Sequence, residues 1–238
     1  MRARSIVLKL QTAMFALVVL LTVSGTHQVQ AQFIHPKIKS KEVTIRRVVV
    51  LPARVNVVRD SMKGPEGMAA ESEQLSQRVE AMITEVLSKK KNVATLTATA
   101  PAAEGGGDSQ QKYNVADFQA KFDDLLPKIM KKRSDVKKGR FSMGDEVLNL
   151  NLDKDADAIV FIRGSGKKLT GGKTAFRVLV GGTPAFLGLQ IGIVDARNGE
   201  VLLYTDPVFT GDPTTAVDRL RKALEKGFKK LPDVKSAQ

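Results

Sequence analysis

Four stretches of this sequence carry side chains whose type and spacing could do chemistry. Lys128, Lys131, Lys132, Arg133, Lys137, Lys138 and Arg140 stand against a single acid, Asp135, and such a run can hold anionic phosphates of lipid head groups, lipopolysaccharide or nucleic acid. The plainer reading is a solvated helix end and loop. Asp153, Asp155 and Asp157 have the spacing of a calcium loop. A loop begun at Asp153, however, puts Ala158 where the sharp turn needs glycine and Gly164 where a bidentate glutamate is required. Gly172-Lys173-Thr174 matches the end of a phosphate-binding loop, but the first glycine of that motif falls at Lys167. The motif also opens a helix, whereas Ala175 to Val180 reads as a strand, so Gly164 to Thr174 is expected to be a hairpin loop.

The fourth candidate is a pair of histidines, His27 and His35, which is too few for a histidine triad or a three-histidine metal site. The chain has no cysteine, so thiol nucleophiles, thiolate metal sites, disulfides and a lipidated cysteine are all excluded. Asp123 and Asp124 are adjacent on a helix and point to different sides. No cofactor is expected, and the chain reads as a non-enzymatic protein. The competing reading is a carboxylate-dependent periplasmic hydrolase drawing its acids from Asp153, Asp155, Asp157 or Asp195.

The first 31 residues have the three parts of a secretory signal. Arg2, Arg4 and Lys9 form the positive start, Ala13 to Val23 is an apolar run interrupted only by Thr22, and Val29-Gln30-Ala31 is a small-residue cleavage site. The apolar run is short against the ~20 residues that span a bilayer, so cleavage after Ala31 is expected over retention as an anchor. Losing three cations and no acid takes the formal net charge from +13 to +10. An exported, periplasmic or outer-membrane-associated basic protein follows, not lipidated, whose partner would be an envelope protein or an anionic envelope surface. Export, with only 5% aromatics and no tryptophan, argues against nucleic acid; self-association stays open.

The elements that position these groups centre on Ala185 to Asp206. Leu187, Leu189, Ile191 and Ile193 share one face of a strand, Asn198-Gly199 can take the positive φ of a tight turn, and Val201 to Tyr204 returns as its partner. Gln32 to Glu42 reads as a lead-in arm, Thr44 to Leu51 as a first strand closed by Pro52, and Val55 to Met68 as a loop, unless Val55, Val57 and Val58 continue the strand past a bend. Leu75, Val79, Met82, Ile83, Val86 and Leu87 mark a helix over Ala69 to Lys91, followed by a short edge strand from Val93 to Thr99. A Gly/Ala/Pro-rich loop over 100–111 precedes a second helix over Val115 to Leu126, capped by Asn114 and interrupted at Pro127, where either the helix kinks or a new turn starts with the proline in its first position and carries Ile129 and Met130 inward. Phe141 to Leu150 suits a short helix. Ala158 to Ile162 is a fully buried strand, Asp212-Pro213 starts a last helix that runs to Leu231, and 233–238 is a tail.

One domain over 43–232 is therefore expected, of α/β class, with a mixed sheet, a hairpin in its C-terminal half and flanking amphipathic helices. Val48-Val49-Val50-Leu51-Pro52, Asp155-Ala156-Asp157-Ala158-Ile159-Val160 and Val194-Asp195-Ala196-Arg197-Asn198-Gly199-Glu200-Val201, in this order of elements, resemble a periplasmic domain family. That family includes the curli-secretion lipoprotein (CsgG-like), the lipoprotein activator of peptidoglycan synthases and the N-terminal domain of TolB. The resemblance spans Glu42 to Leu231 and implies a non-enzymatic envelope domain working through protein contacts. This chain departs from the lipoprotein members in having no cysteine to anchor it.

Overall fold

A computed structural model describes residues 32–97, 115–145, 147, 156–180, 182–183 and 185–234. The signal, the loop over 100–111, the Asn114 cap, Asp153 and Asp155 lie outside these residues. The centre is the pair β6 (Ala158–Leu169) and β7 (Ala185–Asp195), antiparallel and in unbroken register from Ala158↔Asp195 to Lys168↔Ala185. Two shorter strand lines flank it. Along β6 run β2 (Arg47–Val50) and then β3 (Arg54–Ser61), both parallel to it, joined by a bend at Leu51-Pro52-Ala53 where Leu51 N–H still donates to Val160 O at 3.0 Å. Along β7 run β8 (Val201–Thr205) and then β9 (Val208–Thr210), with Leu189 N–H donating to Pro207 O at 2.9 Å across their bend. Proline suits both bends because it has no N–H to leave unpaired.

The sheet is completed by β1 (Gln32–Ile34) on β8, β5 (Ala94–Thr97) on β2 and β4 (Gly64–Gly67) on β3, nine strands of mixed direction that do not close into a barrel. The α/β class expected from the sequence is what the chain adopts. Strand alternation sends Val160, Ile162, Leu187, Leu189, Ile191 and Ile193 to one face, where α2 (Ala69–Glu85) and α6 (Val217–Gly227) cover them with Leu75, Val79, Ile83, Leu220 and Leu224. Ile159, Phe161 and Tyr204 face the other way, under Phe118, Phe122, Leu125 and Ile129 of α3 (Val115–Lys131). Gly192 is what lets α3 come so close. A Cβ there would lie 2.5 Å from the ring of Phe122, which is itself stacked on Phe161 at 4.8 Å between centroids.

Helix α2 also closes the edge of β3. Ser76 Oγ accepts from Val55 N–H at 3.0 Å, Ser72 Oγ from Val57 N–H at 2.9 Å and Glu80 from Ala53 N–H at 3.1 Å. Three side chains four residues apart thus take the place of a neighbouring strand, and the donors that an edge would expose are satisfied. The helix ends in a π turn, Val86–Lys90, and its lysines find acids: Lys89 pairs with Glu85, Lys90 with Glu225 and Lys91 with Asp233.

Several sequence expectations are corrected. Gln32 to Glu42 is not a lead-in arm: β1 joins the sheet, α1 (Pro36–Lys39) follows, and Lys37 reaches Glu200 in the hairpin turn at 2.7 Å. Val55 to Met68 is the β3–β4 hairpin rather than a loop, and the alternative, a strand continued past a bend by Val55, Val57 and Val58, is what occurs, because Val55 and Val57 are core residues on an alternating strand. The α3 helix runs through Pro127 to Lys131, with Ile129 buried beyond the proline. Phe141 to Met143 lies extended beside Glu200-Val201, where Val201 N–H donates to Phe141 O, and not in a helix. Gly164 to Leu169 is no loop but the second half of β6, and Gly164 is needed because a Cβ would sit 2.8–2.9 Å from Leu189 and Val55. Ala175 to Leu179 is helical, within α5 (Gly172–Leu179), since both edges of β6 are already occupied. In the hairpin turn only Gly199 takes positive φ. Asp212 accepts from Thr214 N–H and Oγ1, building a turn, and the last helix starts later, at Val217.

The Gly192–Phe122 contact yields a test. Gly192→Ala should destabilise the domain by roughly 1–3 kcal/mol, because a rigid buried ring must move. Gly188→Ala, whose Cβ would meet only Ser165 O at 3.8 Å, should cost far less in the same thermal or urea melt.

Candidate functional site

The basic run is carried by the end of α3, by α4 (Arg133–Lys137) and by the turn that follows. Its inner side is apolar: Leu125, Leu126 and Ile129 of α3 and Val136 of α4 are buried in the core around Phe33 and Tyr204. Spacing alone then sends the cations outward, and Lys128, Lys131, Lys132, Arg133, Lys137, Lys138 and Arg140 are all exposed. Three of the seven have partners. Arg133 lies 3.7 Å from Asp206, Arg140 lies 3.8 Å from Asp135, and Lys137 Nζ sits 5.4 Å from the centre of the Phe33 ring. Among the described residues Lys128, Lys131, Lys132 and Lys138 make no ion pair, which leaves a cationic strip open to an anionic partner.

The strip is fixed from below by a contact between Gly139 and His35 that the sequence reading did not find. Gly139, at φ 69°, lies with its backbone against the imidazole edge of His35, where any side chain would collide. His35 is buried, its Nδ1 accepts from Lys37 N–H at 3.1 Å and caps α1, and its backbone N–H donates to Leu202 O at 2.8 Å. The strip is thereby tied to β1 and, through it, to β8. A glycine set between cations, Lys138-Gly139-Arg140, was the only local signal of such a contact. Met130 makes a second tie, since Tyr204 Oη donates to its Sδ at 3.3 Å.

The carboxylates of the hydrolase reading are otherwise engaged where they are described. Asp157 accepts from the backbone N–H groups of Arg46 and Arg47 at 2.8 and 3.0 Å, locking the start of β2 beside β6. Asp195 is buried and holds Arg197 through both carboxylate oxygens, at 3.1 and 2.9 Å, so that it serves the hairpin turn. Gly172-Lys173-Thr174 does open a helix, contrary to the strand expected after it. The motif register still fails at Lys167, and Lys173 is committed to Asp60 at 2.6 Å, a carboxylate that Lys167 also meets at 2.6 Å. Hydrogen bonds from Lys167 and then Lys173 hold Asp60 below the usual carboxylate range. Among the described residues no helix is long and apolar enough to cross a membrane.

Burial beneath the strip pushes the Tyr204 phenol up to about 12, with the Asp206 charge adding to the effect. The raised value means that the folded state keeps the proton while an unfolded chain releases it near pH 10. Stability is thus whole below pH 10 and declines as pH rises towards 12, by on the order of 3 kcal/mol for a two-unit displacement. Ultraviolet titration should show a phenolate step near pH 12, coincident with unfolding, that Tyr204→Phe removes.

No protein-family model matches the chain, and no curated sequence matches it. Solved structures similar in fold include the PelC dodecamer from Paraburkholderia phytofirmans, 14% identical, covering 87% of this chain and 99% of that one at a TM-score of 0.40. Lipoprotein GNA1162 from Neisseria meningitidis is 13% identical over 77% of this chain and 96% of its own, at 0.32. The LpoB C-terminal domain from Salmonella enterica is 12% identical over 73% and 93%, at 0.26.

Proposed function

We propose that this chain is an exported, non-enzymatic accessory protein of the cell envelope, acting through protein or anionic-surface contacts. Its working surface is the cationic strip Lys128 to Arg140. The observation that carries the reading is the arrangement of that strip: four exposed lysines without an acidic partner, on a segment anchored by Ile129, Val136 and the His35–Gly139 contact. A merely solvated helix end has no need of such anchoring. Electrostatic attraction to clustered phosphates contributes about 1 kcal/mol per cation held near an anionic surface, so four lysines suffice for reversible retention. The sequence resemblance to the CsgG-like, peptidoglycan-synthase activator and TolB N-terminal domains supports an envelope setting, and the signal-like stretch over 1–31 supports export with cleavage after Ala31.

Two experiments test this. Sequencing the N-terminus of protein recovered from the native envelope should return Gln32 as the first residue; recovery of uncleaved chain from the cytoplasm would refute export. Replacing Lys131, Lys132 and Lys138 by Glu should weaken retention on anionic envelope material by about a hundredfold, at roughly 1 kcal/mol per lost cation, with the melting curve unchanged. Retention by the unsubstituted chain should fall between 0.1 and 1 M salt, as the screening length drops from about 10 Å to about 3 Å. Retention indifferent to both changes would remove the strip from the mechanism.

A further inference from the structure

The four most exposed large apolar residues among those described lie on or beside one helix. Met62 in the β3–β4 turn is 75% exposed, and Val178, Leu179 and Val180 at the end of α5 are 55%, 85% and 59% exposed. Met62 lies beside the same helix: a Cβ on Gly172, the first residue of α5, would lie 3.9 Å from Met62 Cγ, and Met62 shares one open depression of about 570 Å³ with Asp60, Leu169, Lys173 and Arg177, the residue that precedes Val178. In α5, Lys173 pairs with Asp60 and the Arg177 side chain lies against Gly182, while the apolar C-terminal end is left in solvent. A run of three exposed apolar residues, with a fourth on the same helix's flank, costs solubility and marks a contact surface.

The charge around the tip identifies what it meets. Asp60 is taken by Lys167 and Lys173, Glu66 by Arg59 and Asp212 by Lys168, so that Lys63 and Arg177 remain without an acidic partner among the described residues. Arg177 beside the exposed Val-Leu-Val run and Lys63 beside the exposed Met62 match the interface of an anionic bilayer, in which apolar side chains enter the acyl boundary and Lys or Arg stay among the phosphates. A second copy of the chain fits poorly, because an isologous contact through this face would set its surplus cations against themselves.

We infer that the tip formed by Met62 and the C-terminal end of α5, Val178-Leu179-Val180, is a peripheral docking site for an anionic lipid bilayer. This site is separate from the cationic strip and does not rest on it. Arg133 of the strip bridges to Asp206, next to Thr205, which pairs with Ile191, whereas α5 returns to the sheet at Ala185. Six residues of strand part these points, about 20 Å at the usual rise of roughly 3.4 Å per residue.

The absence of tryptophan makes the test local. Leu179→Trp in the full chain places at the tip the protein's single indole, whose emission reports on that position. With vesicles of phosphatidylglycerol and phosphatidylcholine, its emission should move to shorter wavelength and be quenched by brominated acyl chains. With phosphatidylcholine alone both effects should be much weaker. Adding Met62→Asp and Val180→Asp to the reporter should lower partitioning by about tenfold or more, given the apolar area removed from the contact. These sites are exposed, so an unchanged circular dichroism spectrum and melt should accompany the loss. The shift should persist when Lys131, Lys132 and Lys138 are replaced by Glu, which separates failure of this site from failure of the strip. An indole that stays in water with both vesicles overturns the inference and turns the tip into a candidate protein contact; a shift abolished by the strip substitutions overturns its independence.

Discussion

The β6–β7 ladder is the constraint on which everything else in the domain depends. Its strands are longer than any neighbour, so each is partnered on its outer side by two strands in succession, and each succession turns at a proline, Pro52 or Pro207. That arrangement divides the molecule into two regions. Where β2 and β8 flank the ladder, both faces are covered by helices and the strands are buried on both sides, from Ala158 to Ile162 and from Ile191 to Asp195. Where β3 and β9 flank it, the covering thins, the strands become half exposed, and α5 sits at the end almost uncovered. The cationic strip belongs to the first region and the apolar tip to the second.

Much of this was legible in the sequence, and the reasons differ by element. The hairpin, the buried strand from Ala158 and the three covering helices were readable because period-two and period-3.6 apolar patterns report burial directly. Gly164 to Leu169 was misread because glycine is a turn signal when it is seen alone. Here Gly164 is a response to Leu189 and Val55, residues distant in sequence, which no local pattern contains. Ala175 to Leu179 was misread for the opposite reason. Val and Phe favour strands only where a strand can pair, and no edge of β6 was left to accept one.

For the candidate site, the exposure of all seven basic residues follows from helix periodicity, but the scaffold beneath them does not. His35 lies about a hundred residues before Gly139, and apart from a glycine set between cations nothing in either local sequence announces that one packs on the other. The Asp60 cluster is similar, since Lys167, Lys173 and Asp60 come together only through the parallel pairing of β3 with β6. Composition identified the charge; topology decided which charges are neutralised and which remain available.

The helix that stands in for a strand has a consequence for the order in which the chain becomes safe. Ser72, Ser76 and Glu80 reach β3 across separations of 15, 21 and 27 residues, whereas its partner on the other edge, β6, lies far down the chain, Arg54 pairing with Arg163. Short closures cost less entropy than long ones and form sooner. A β3 segment that has just emerged is thus sheathed by its own downstream helix before β6 exists to receive its other side. During that interval only one of its two edges can recruit a stray strand, so a sheet built from distant pieces has fewer places at which to pair with the wrong molecule.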